Sequence, residues 1–132
     1  MTMRRERMSS ANLTEIRFSQ NRHGDPQALY LFDNGYGVSS VLQNQGWSDE
    51  RLSVAIFETG PSGEFLFRHP AYRSFADESG SVDVLWTDGV LQIYGDERGQ
   101  LFAKFLQKVG RMSRPVRKNA GRGARRRRTS RR

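Results

Sequence analysis

The chain has 132 residues, no cysteine and a formal net charge of +8, with 36% hydrophobic and 11% aromatic side chains. Without cysteine there are no disulfides, no Cys-ligated zinc and no thiol nucleophile. No apolar run approaches the roughly 20 residues that span a bilayer, and the N-terminus lacks the apolar centre of a secretory signal, so a soluble protein of the cell interior with no membrane partner is expected.

Residues 1–12 are charged and poor in apolar side chains, with possible starts at Met1, Met3 and Met8, and are expected to form a flexible extension. From Leu13 to Phe18 the side chains alternate, Ile16 and Phe18 on one face and Glu15 and Arg17 on the other, which is the period of a half-buried strand. A polar loop follows, Gln20 to Pro26. Ala28–Phe32 and Val38–Leu42 are strands around Asp33, Asn34, Gly35 and Gly37, residue types that tolerate positive φ, so a hairpin is expected. Leu52–Phe57 is a continuous β-favouring run that turns through Thr59–Gly63 into a short strand at Phe65–Phe67. Val82–Trp86 and Val90–Tyr94 flank Thr87-Asp88-Gly89, where Asp-Gly signals a tight turn and a third hairpin.

Beyond Tyr94 the period changes. Leu101, Phe102, Phe105, Leu106 and Val109 form one stripe on a helix, with Asp96 placed to cap its start and Gly110 and Pro115 to stop it. The expected architecture is α+β: one domain over residues 13–110, a curved antiparallel sheet of five to seven strands with a single C-terminal amphipathic helix on its apolar face.

The run Leu31-Phe32-Asp33-Asn34-Gly35-Tyr36-Gly37-Val38-Ser39-Ser40-Val41 resembles the hairpin of a group of small, uncharacterised proteins of tailed bacteriophages, in which an Asn-Gly-Tyr-Gly turn leads into a Val-rich strand. The Leu52–Phe57 strand, the Gly63-Glu64-Phe65-Leu66-Phe67 hairpin with nearby Pro70, and the closing helix are similar to that group in order, with the Val82–Tyr94 hairpin and the basic tail as additions. The resemblance implies a phage or prophage origin and a fold. It implies no activity.

Charge is divided sharply along the chain. Residues 111–132 hold eleven Lys or Arg and no acid, so the tail contributes +11 and the rest of the chain −3; residues 13–110, with eight basic and thirteen acidic side chains, stand at −5. A like-charged block with few apolar side chains buries too little to offset the entropy of ordering it, so residues 111–132 are expected to be disordered alone. Guanidinium groups donate bidentate hydrogen bonds to phosphate, and neutralising phosphates releases counterions with little regard to sequence. Arg117, Lys118, Arg122, Arg125, Arg126, Arg127, Arg128, Arg131 and Arg132 are therefore the expected nucleic-acid contacts. Tyr36, at a hairpin tip, and Trp47, in a Gly-rich polar loop, stand outside the apolar pattern and are the candidate recognition aromatics.

No constellation in the sequence carries catalysis, and no metal or cofactor is expected. His23 and His69 lie in loops, the acidic pairs Asp49-Glu50, Asp77-Glu78 and Asp96-Glu97 sit where turns and helix starts need them, and Gly35-Tyr36-Gly37 and Gly60-Pro61-Ser62-Gly63 read as turns. The expected role is a small phage-type accessory protein held on DNA or RNA by its tail, working in the host cytoplasm. Two alternatives stay open: a module that docks on a host defence or replication complex through its acidic body, and a virion protein whose basic arm meets the genome.

Overall fold

The computed structural model describes residues 13–115. Six strands, β1 (Leu13–Gln20), β2 (Pro26–Phe32), β3 (Tyr36–Gln43), β4 (Arg51–Glu58), β5 (Val84–Thr87) and β6 (Val90–Tyr94), form one curved open sheet in the order β1-β2-β3-β4-β6-β5. Every neighbouring pair is antiparallel. Two helices, α1 (Pro70–Ser79) and α2 (Arg98–Gly110), pack on one face. The chain is α+β as its patterning implies, with one helix more than expected.

Turn chemistry sets the hairpins. Asp88 and Gly89 both take positive φ, +56° and +81°, as a two-residue turn between right-twisted strands requires. The β2–β3 connection is the three residues Asp33-Asn34-Gly35, and its work extends beyond turning the chain. Buried Asn34 donates from Nδ2 to the carbonyls of Val109 (2.9 Å) and Met112 (3.1 Å), while its Oδ1 accepts from the Tyr36 N–H. At the end of α2 the Val109 carbonyl accepts the Met112 N–H, and the hairpin side chain adds a second donor to it.

Alternate residues of the strands build the core: Val38, Val54, Ile56, Leu91 and Ile93 are fully buried beneath Tyr72 of α1 and Phe105 of α2, whose rings stack at 6.1 Å. Pairing of β4 with β6 ends at Val54 and Leu91, which leaves the outward N–H of Ile56 without a strand partner. The Tyr72 hydroxyl accepts it at 2.5 Å, and burial pushes that phenol up to about 12.

Several expectations are corrected. The strand Leu13–Phe18 extends to Gln20 and is an edge strand exposed along its whole length, because the helices cover the sheet only from β2 onward. Asp96 does not cap α2; Glu97 holds that position without a side-chain hydrogen bond, and Arg98 ties the helix start to Glu50 of the β3–β4 loop. The body also runs past Gly110: Met112 packs on the core, and Pro115 lies so close to Gly35 that a Cβ there would sit 2.9 Å from its Cδ. Residues 1–12 and the nine basic tail positions from Arg117 to Arg132 lie outside the described residues.

Candidate nucleic-acid interface

One end of the sheet gathers the β2–β3 turn, the β4–α1 connection, the β5–β6 turn and the last described residues. After β4 the chain doubles back through Gly63, at φ +61°, so that Glu58 N–H meets the Glu64 carbonyl, Phe65 bridges Phe57, and Leu66 N–H meets the Ile56 carbonyl at 2.6 Å. This short return takes the place that β6 vacates. Extended backbone alternates its side chains. Leu66 therefore turns to the core while Phe65 and Phe67 stay 43% and 49% exposed.

Phe65 stacks on a buried ring, and Phe67 leans against it at 45°. Phe57, buried, lies 5.2 Å from Phe65 at 23°, and Phe65 lies 5.8 Å from Phe67. Gly37 makes room for this, since a Cβ there would fall 2.4 Å from the Phe57 ring. An exposed ring face backed by a buried ring, as Phe65 is by Phe57, is a surface on which an unpaired nucleobase can stack.

Cations flank the rings. Phe65, Phe67, Arg68 and His69 line a hollow of about 440 Å³, and Arg68 also lines two neighbours of about 460 and 650 Å³ shared with Arg73 and Trp86. Arg73 sits over the Trp86 ring at 4.7 Å, a cation–π arrangement that holds the guanidinium beside the rings. Among the described residues neither Arg68 nor Arg73 forms an ion pair, although Asp77 and Asp88 border the same hollows. The Trp86 indole N–H beneath is buried without a hydrogen-bond partner in the described structure.

His69 joins this region to the core. As the residue before α1 it accepts the Ala71 N–H on Nδ1 at 3.1 Å, with Pro70 next in the first helical turn, where a missing N–H costs nothing. Its ring meets Tyr36 edge-on at 5.5 Å. Burial pushes the imidazole below its ordinary range, against the opposing charge of Glu58, so at neutral pH the ring is neutral and Nε2 carries the proton. Burial also raises the Tyr36 phenol, with Glu58 adding to it.

The candidates named from sequence are scattered. Tyr36 is 7% exposed and packed in the core, which corrects its reading as an exposed tip residue. Trp47 is 74% exposed, as its polar neighbours imply, on a loop fastened by Asn44 Nδ2 to Asp49 (2.7 Å) and Gly46 N–H to Glu50. That loop joins β3 to β4 at the end of the sheet away from Phe65 and Arg68. His23, in the β1–β2 loop, is likewise separated from His69 by the length of β2, about 20 Å at roughly 3.3 Å per residue. The two histidines share no site. Phe65 and Phe67 suit a buried strand equally well in sequence, and Arg68 and Arg73 suggest there only a cation beside a His23–His69 pair that the fold keeps apart; Arg68 directly before His69-Pro70, a helix-start signature, is the signal that places it at this end.

Among the described residues no group of three or more His, Asp or Glu side chains is arranged to hold a metal ion, and no helix is long and apolar enough to cross a membrane. Fold and site together define a class: a small α+β protein with two helices on one face of an open antiparallel sheet and an aromatic and arginine cluster at the sheet's end. No protein-family model, curated protein or solved structure matches the chain.

Proposed function

We propose that this protein associates with nucleic acid, its Arg-rich C-terminal segment gripping the phosphate backbone and its folded body stacking unpaired bases on Phe65 and Phe67. The observation that carries the reading is placement. The described chain ends at Pro115 against Gly35, and the Gly35 carbonyl accepts the Thr59 N–H at 2.8 Å, so residues 116–132, with nine Lys or Arg, begin at the sheet end that presents Phe65, Phe67, Arg68 and Arg73. A body of net charge −5 repels a polyanion in general. Arg68 and Arg73 put local positive charge beside the two exposed rings, where a single strand would approach. An accessory role in a phage-infected cell is part of this proposal.

The test of the body's part compares Phe65→Ala/Phe67→Ala with the unaltered chain on a labelled oligothymidylate and on a duplex of equal length. Aromatic stacking is worth about 1–3 kcal/mol per base, so single-strand affinity should fall by about tenfold or more while duplex affinity holds. Circular dichroism of the variant checks that the sheet persists. Undiminished single-strand binding by a folded variant would remove the body from the mechanism and leave its surface, including Trp47 at the far end, for a protein partner.

A further inference from the structure

We infer that strand β1 is the interface of a two-fold symmetric dimer, in which two copies pair antiparallel about Ile16 and join their six-stranded sheets into one. β1 is a long edge: eight residues, each exposed, hydrogen-bonded on one side to β2 and on the other to nothing among the described residues. Edge strands in monomers are usually short or guarded by charges, Pro or bulges; β1 is long and lacks Lys and Pro, its guards being the bulge between Leu13 and Glu15 and the opposite charges Glu15 and Arg17, which a second copy can pair. The opposite edge, β5, has four residues.

Two exposed apolar side chains lie where such a partner would cover them. Ile16 and Phe18 stand opposite Tyr30 and Ala28, on the helix face beyond α2, and Phe18 is 78% exposed. A strand supplied by a second copy, with its own Ile16 and Phe18, extends that face and brings the two apolar sets together.

Charge selects the second copy as the occupant and fixes the register. A two-fold axis perpendicular to a continuous sheet pairs residues of the same face, so the antiparallel pairing centres on a residue. Centred on Glu15 or Arg17 it sets like charges opposite one another; centred on Ile16 it sets Glu15 against Arg17 of the other copy, twice, with Ile16 against Ile16. Within one copy Arg17 already binds Glu15 at 2.7 Å, so the dimer closes a ring of four alternating charges. The inference is independent of the nucleic-acid reading.

Sedimentation equilibrium of the nuclease-treated full chain over a range of concentration tests it. The unaltered chain should approach twice the 15.1 kDa of one copy. Arg17→Glu alone, which sets four carboxylates together on an exposed strand, should shift the chain to the mass of one copy with its circular dichroism unchanged. Glu15→Arg combined with Arg17→Glu should restore the dimer. One-copy mass for the unaltered chain throughout, an undiminished dimer for Arg17→Glu, or a double variant that stays at one-copy mass would each overturn the inference.

Discussion

Asn34 shows how one side chain fastens a turn to a distant helix. Its amide links residues 75 and 78 positions away, Val109 and Met112, and its carbonyl holds the Tyr36 N–H. Asn34→Ala would remove the two hydrogen bonds to the helix end and the one from the Tyr36 N–H, a cost of about 1–3 kcal/mol. For a domain of this size that is a fall of roughly 5–15 °C in melting temperature, measured by calorimetry. The sequence marks Asn34 as a turn residue, which is correct and incomplete, because turn propensity is local and the carbonyls it meets belong to a helix that packs there only in the folded state. Tyr36 is the same lesson in reverse. Its neighbours Gly35 and Gly37 suggest an exposed tip, yet the ring is covered by His69 from the distant start of α1.

At the scale of elements, period was legible where one face of an element is wet and the other dry. The stripe from Leu101 to Val109 gives α2, and Asp88-Gly89 gives the β5–β6 hairpin. The first helix, α1, was illegible because only Ala71, Tyr72 and Phe75 are buried along it, too few to show a 3.6-residue period. Its ends were written more plainly, in His69-Pro70 at the start and in Gly80, which takes φ +61° at the stop. His69 also gives α1 a pH response. The folded imidazole titrates below its ordinary value of 6.5, so as pH falls through 6.5 the unfolded chain takes up a proton first, and the stability contributed by the neutral cap is lost on the way down to the folded value. His69→Asn replaces the Nδ1 acceptor with an N-cap oxygen and removes the titration. Urea melts at pH 7.5 and 5 should therefore show a smaller acid destabilisation in the variant than in the unaltered chain; equal losses would mean that His69 titrates alike in both states.

The whole molecule divides into a body that carries a net −5 over residues 13–110 and a run of cations that starts beside the aromatic end of its sheet. Composition made that division visible; it did not show which end of the body the cations leave from, since that depends on α2 returning to the β2–β3 turn. Met112 and Pro115 belong to the packed body, so a cut that spares the fold comes after Pro115. The most direct test of the account is the salt dependence of duplex binding by the full chain and by the chain ending at Pro115. If the C-terminal segment neutralises about six phosphates, the full chain's log affinity should fall against log salt with a slope near −5, and the shortened chain should bind weakly with a slope near zero. Equal affinity and equal slope for the two chains would contradict it.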